Sequence, residues 1–282
     1  MAQTTQIAPG LRAMYKKIFG WAHIDGVVHL ILEWATSIFA FAKGFSFPDK
    51  FNWEWKLEML LGRYEVETTA LFKQIVRPGA IVIDIGAHVG YFTRLFSSLV
   101  GESGKVYGFE ADGENYHLLK KNTAWCRNVT LIQKAVSNAD GSIDFYHIEN
   151  STGCHSTVRP DIPARKTSVP AVSIDSFVHG NNIQRVDVIK MDIEGAEPLA
   201  LQGMRAMIKA NPELQLVTEF NSSALSQGGT DPIVYLRELE SCGFNLYGIT
   251  EDELVPITSR TDMSELAYFH RTGYINILCK KE

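Results

Sequence analysis

The sequence predicts an α/β protein whose core is a doubly wound, mostly parallel sheet, preceded by a helical extension. Three observations lead there. Past residue 65, short apolar runs alternate with amphipathic helical segments. A turn with a glycine at each end, Gly86-Ala87-His88-Val89-Gly90, directly follows the first of those runs. The first 64 residues instead read mainly as helix, which divides the chain at 1–64 and 65–282.

In the extension, Val27, Leu30, Ile31, Trp34, Ile38 and Phe41 recur three and four residues apart and give one wide apolar helical face. Phe45, Phe47, Phe51, Trp53 and Trp55 follow around Pro48, either to line a substrate pocket or to pack against the main domain or a partner subunit. A lid or a homodimer contact is the expected role of 1–64. Residues 65–76 read as a helix stopped by Pro78-Gly79. Strand 80–85, helix 91–100, strand 105–110, helix 113–126 and strand 129–134 come next. Strand 186–191, helix 197–210, strand 215–220 and helix 231–242 continue the pattern, and 245–249 with 274–279 form a closing antiparallel pair. Between Val136 and Val186 the rhythm breaks. Segments 142–148 and 168–174 are strand-like, and the Ser-, Thr-, Gly- and Pro-rich linker 150–166 is long enough to be a functional loop reaching over the carboxyl edge of the sheet.

Composition excludes several classes. With 282 residues, 45% of them hydrophobic, the chain can bury a sizeable core. A net charge of −5 and the lack of any basic tract speak against nucleic acid as a partner, because phosphate neutralisation needs clustered Lys and Arg. Cys126, Cys154, Cys242 and Cys279 are scattered with no CxxC pair, so neither a disulfide framework nor a structural zinc site is expected. The apolar stretch 27–42 is interrupted by His29, Glu33, Thr36 and Ser37 and falls short of the roughly 20 residues a membrane span requires. A soluble cytoplasmic protein is the expectation, with monotopic membrane contact as the lesser alternative.

In a doubly wound sheet, ligands bind outside the carboxyl ends of the strands, at the switch point beside the first strand. There the Gly86–Gly90 turn has no lysine, as a P-loop would need, and no GxGxxG, as a dinucleotide would need. S-adenosylmethionine has no phosphate but carries an ammonium, a carboxylate and a sulfonium. Asp84 at the strand end suits its cationic groups, directly or through water, and backbone donors of the turn suit its carboxylate. Glu110 ends the second strand, placed to accept hydrogen bonds from both ribose hydroxyls. Gly86, Ala87, His88, Gly90, Tyr91, Thr93 and Ala111 complete this candidate site. Ala135 and Val136 either meet the adenine or are core.

These motifs resemble the FkbM family of class I methyltransferases over about residues 64–279. The matching pieces are Tyr64-Glu65, Arg77-Pro78-Gly79, Val82 to Tyr91, Phe109-Glu110-Ala111-Asp112, Ala135-Val136-Ser137, Ile174-Asp175 and Lys190 to Glu197. The resemblance implies a seven-stranded Rossmann-like sheet, S-adenosylmethionine as donor, and methylation of a hydroxyl on a small metabolite or sugar. His88 departs from it, since such turns often carry Asn, and the region before Tyr64 lies outside it.

Methyl transfer needs an acceptor held in line with the donor and a group to take the acceptor's proton. Asp192, at the end of the fourth main strand, is the first candidate, and helix capping by Asp192 or Glu194 is the competing role. Glu219 ends the fifth strand, and alternation puts Asn221 on its side. Asp192, Glu219 and Asn221 would then form an oxygen site for Mg2+. His155, in the linker, is a candidate mobile general base. Three other classes stand beside O-methylation: N-methylation, a nicotinamide-dependent oxidoreductase, and a non-catalytic binding module on the same fold.

Overall fold

The structure is a computed structural model, and it describes residues 25–49, 51–148, 155–251, 253–261 and 273–281. The first part of the linker, through Cys154, lies outside the described residues. The chain forms two compact units, 1–66 and 67–282.

In the first unit, α1 (Asp25–Ala42) and α2 (Trp53–Leu61) pack together. Asn52 accepts the Glu54 N–H at 2.8 Å to start α2, and Gly62, in the left-handed region at φ 69°, ends it. The buried Lys56 ammonium meets Glu33 of α1 at 2.8 Å. Phe45, Phe47 and Phe51 stack in sequence, and Phe51 meets Trp55 edge-on. Of the expected apolar face, Leu30, Ile31, Trp34, Ile38 and Phe41 are exposed in this chain. Among the described residues no helix is long and apolar enough to cross a membrane.

The second unit is built on β1 (Ile81–Ile85), β2 (Lys105–Phe109), β3 (Val129–Ile132), β7 (Val188–Met191), β8 (Gln215–Asn221), β9 (Asn245–Ile249), β10 (Leu254–Ile257) and β11 (Tyr274–Lys280). Their spatial order is β10-β9-β11-β8-β7-β1-β2-β3. Strands β3, β2, β1, β7 and β8 run parallel, and β11 is antiparallel to both β8 and β9. The seven expected strands are present, and β10 adds an eighth at the edge, antiparallel to β9. Pro256 argues against a strand in sequence, yet an edge strand tolerates a residue without an N–H.

Odd-numbered β1 residues Ile83 and Ile85 join a core with Ile189, Met191, Leu201, Met207 and Leu239. Even-numbered residues face the other way. On that side Phe72 of α3 (Val66–Ile75) meets Phe92 and Phe96 of α4 (Tyr91–Val100) with ring centroids 5.5 and 4.7 Å apart. Helix α5 (Gly113–Asn122) connects β2 to β3, its N-terminus capped by Asp112. The insertion makes a second sheet, β4 (Ala135–Val136), β6 (Ala164–Val172) and β5 (Gly141–Ile148), followed by α6 (Ile174–Gly180).

The expected helix 197–210 is two helices, α7 (Glu197–Gln202) and α8 (Arg205–Ala210). Asp175 accepts the N–H groups of Ala206 and Met207 at 3.1 and 2.7 Å, so a carboxylate from α6 caps a new helix start. Two further helices, α9 (Ser222–Gln227) and α10 (Pro232–Ser241), connect β8 to β9.

Candidate active site

The two innermost parallel strands, β1 and β7, end in turns that touch. After β1, Gly86 (φ 80°), His88 (φ 47°) and Gly90 (φ 91°) all take left-handed backbone. At Gly86 a Cβ would run into the Asp192 carbonyl, so the position admits only glycine. The N–H groups of Gly86 and Ala87 donate to the Phe109 carbonyl at 3.1 and 2.9 Å. Glu110 closes the turn from the end of β2. Its Oε2 accepts the His88 N–H and its Oε1 the Asp112 N–H, both at 2.8 Å, and the Ala111 amide also faces it. Burial pushes the Glu110 pKa up to about 7 against the pull of these backbone donors. Each carboxylate oxygen keeps a further lone pair. Desolvation lowers the His88 pKa to about 4, so this imidazole is neutral near pH 7.

Asp84 is fully buried and accepts the hydroxyl of buried Thr93 at 2.6 Å. It therefore lies beneath the turn and acts on it through the first turn of α4. Among the described residues its Oδ1 has no hydrogen-bond partner, and desolvation raises its pKa while the Lys190 charge opposes this. Tyr91 places its hydroxyl 3.5 Å from Thr69 Oγ1. Ala135 and Val136 are buried in the second sheet, with Val136 in the main core.

After β7, Glu194 (φ 53°) and Gly195 (φ 92°) form the second turn. Glu197 closes it, accepting the N–H groups of Ile193 and Gly195, each at 2.9 Å. Burial raises its pKa to about 7 as well. Asp192 donates its N–H to the Ile85 carbonyl at 3.1 Å, which joins the two turns. Carboxylate oxygens of Asp192, Glu194 and Glu219 gather within 4.8 Å of one another.

Lys190 is the residue that sequence reasoning passed over. Its buried ammonium is 3.1 Å from Asp192 Oδ2 and 5.1 Å from the centre of the Phe92 ring. The signal was available: a charged side chain inside the apolar run Val188-Ile189-Lys190-Met191 asks for a partner.

The insertion roofs the second turn. Ser156 is buried, its hydroxyl 3.1 and 2.9 Å from the carbonyl oxygens of Ile193 and Glu194. Nothing in the sequence around Ser156 marks it for this contact. His155 is held in the same segment, not on a free loop. Its Nδ1 accepts the Ile148 N–H at 3.1 Å, and its ring packs against Phe145 and His147. With Nδ1 accepting, a neutral His155 carries its proton on Nε2, and these contacts hold the ring in place, which corrects the expectation of a mobile base. His147 Nδ1 meets Asp112 Oδ2 at 2.9 Å and its Nε2 meets Thr167 Oγ1 at 2.8 Å, tying the second sheet to the end of β2.

The expected Mg2+ set of Asp192, Glu219 and Asn221 does not assemble as three ligands: Asp192 and Glu219 meet, with Glu194 and not Asn221 as the third oxygen. Asn221 spends its side-chain oxygen on the Ala224 N–H at 3.1 Å, capping α9. Asp192 is already engaged by the Lys190 ammonium.

The sequence profile of the Methyltransferase FkbM domain matches residues 84–246, more than half of the chain. The tRNA (adenine(58)-N(1))-methyltransferase catalytic subunit TRM61 of Yarrowia lipolytica is 31% identical over 108 residues, which are 38% of this chain and 27% of that protein. The protein-L-isoaspartate O-methyltransferase of Triticum aestivum is 30% identical over 83 residues, 29% of this chain and 34% of that protein. The chain thus spans less than half the length of these curated relatives. A solved SAM-dependent O-methyltransferase from Thermotoga maritima is similar at a TM-score of 0.41 and 15% identity, over 77% of this chain and 65% of that one. Because the FkbM profile runs through both turns and both glutamates that close them, the chain belongs to the FkbM family of S-adenosylmethionine-dependent methyltransferases.

Proposed function

We propose that this chain transfers a methyl group to a hydroxyl oxygen of a small-molecule acceptor. The observation that carries this reading is the gathering of Asp192 and Glu219 oxygens at the ends of β7 and β8, directly beside the Gly86 turn. When bound, S-adenosylmethionine supplies a methyl carbon already activated by its sulfonium. Glu110, aimed by two backbone donors, accepts hydrogen bonds from a ribose diol with its remaining lone pairs. The amides of the Gly86–Gly90 turn and the Thr93–Asp84 pair shape the seat of the methionine part. Asp192 and Glu219 accept the acceptor's hydroxyl hydrogen bond and then its proton as the new C–O bond forms and the C–S bond breaks. The net charge of −5 favours a small acceptor over a polyanionic one.

The test has two stages. In a thermal-shift panel, S-adenosylmethionine and S-adenosylhomocysteine should raise the melting temperature, whereas NAD and ATP should not. Labelled methyl should then appear on hydroxyl-bearing small molecules and be absent from amines and RNA. Label confined to amines or RNA would sink the O-methylation reading while leaving the donor intact.

A further inference from the structure

All four residues of β7 are buried, and one of them is a lysine. A buried ammonium is costly unless its counter-charges are close by. Here they are close. Asp192 lies at 3.1 Å, Asp84 is its register partner on β1, and the Phe92 ring presents its face. Beyond Asp192 stand Glu194 and Glu219, whose oxygens crowd within 4.8 Å of the Asp192 carboxylate. Three carboxylates that close repel one another and call for a cation. The lysine reaches this group through its contact with Asp192, and the buried strand fixes where its charge sits.

We propose that the Lys190 ammonium is the resident cation of the Asp192–Glu194–Glu219 cluster, positioning Asp192 where a divalent metal would otherwise be required. Lys190 is thus a positioning residue, acting through Asp192 and not on the acceptor itself. The inference rests on the reading of Asp192 and Glu219 as the acceptor end. It also explains why the cluster tolerates three acids although Asn221 is committed to capping α9.

The experiment uses the purified full chain and Mn2+ as the probe, followed by electron paramagnetic resonance. Wild type should bind no Mn2+ at concentrations where Lys190→Met binds one ion, a gain of at least about ten-fold in affinity. Lys190→Arg, which keeps the charge, should behave as wild type. Adding Asp192→Asn to Lys190→Met should abolish the new binding. If Lys190→Met fails to fold by circular dichroism, Lys190→Gln takes its place in the same arms. Two results overturn the proposal: wild-type Mn2+ binding that Asp192→Asn and Glu219→Gln each abolish, or a folded charge-free variant that binds Mn2+ no better than wild type. S-adenosylhomocysteine binding to wild type, measured in parallel by calorimetry, tests the donor site on its own, so failure there is distinguishable from failure here.

Discussion

The two turns at the centre of the sheet are closed by the same device and held in different ways. In each, a buried glutamate accepts two backbone N–H groups, Glu110 from His88 and Asp112, Glu197 from Ile193 and Gly195. Burial raises both carboxyls to about 7. The hydrogen bonds that close the first turn come from nearby chain, from β1 to Asn122 of α5, which donates to the Val89 carbonyl at 2.8 Å, while the Asp192 carbonyl of the second turn packs against Gly86. The second turn draws on segments far apart in sequence. Ser156 roofs it from the insertion, and the Ala224 carbonyl backs Gly195 so closely that a Cβ there has no room. The first turn thus depends mostly on residues near it in the chain, and the second on a segment brought to it by the insertion.

The largest expected effect separates the two glutamates. Glu197→Ala leaves one buried and one partly buried N–H group without acceptors and should cost about 3 kcal/mol in urea denaturation, with S-adenosylhomocysteine affinity within about three-fold of wild type. Glu110→Ala should lose similar stability and, in addition, weaken S-adenosylhomocysteine at least about ten-fold in calorimetry. Equal losses of affinity in the two variants would erase the distinction between donor and acceptor turns.

A pH series sharpens the same contrast. Both glutamates have folded pKa values raised above the ordinary carboxylate value, so the folded state holds their protons more tightly. Their contribution is fully present below about pH 4.5 and is lost as pH rises through about 7. His88 has the opposite sign: its pKa is lowered to about 4, so stability falls as pH drops below 6.5 toward that value. Ligand-free stability should therefore decline between pH 5.5 and 7.5, less steeply in Glu110→Gln and Glu197→Gln. S-adenosylhomocysteine affinity should instead rise across that range as Glu110 ionises, and only Glu110→Gln should remove the rise. A flat affinity profile in wild type would separate Glu110 from the ribose.

The smallest effect concerns the roof. Ser156→Ala should cost about 1 kcal/mol. It should also speed amide exchange in 155–158 and 193–195 and leave 86–90 unchanged. Faster exchange in both turns would mean that the insertion holds the donor seat too.

How much was legible follows from where each contact comes from. The alternation after residue 65, the paired glycines of the first turn and an acid ending the second strand all stand in sequence at the spacing they have in space. Elsewhere, contacts from outside the local segment decided the outcome. Asn221 was read as a partner of Glu219 by strand alternation, yet the helix starting at Ser222 claims its side chain first. The break between α7 and α8 comes from Asp175, about 30 residues away, and β10 forms in spite of Pro256 because it is the edge strand among the described residues. His155 looked mobile because composition describes the linker's flexibility but not the strand edge it lies against.

The sequence by itself determined the α/β class, the family and the donor turn, because periodicity, turn geometry and strand-end chemistry depend on near neighbours in the chain. Only the tertiary structure decided what surrounds Asp192: an ammonium from Lys190, a carboxylate from β8, and a serine of the insertion on the carbonyls of Ile193 and Glu194 just after it. Burial of charge depends on neighbours in space, and sheet order with one long insertion chose those neighbours.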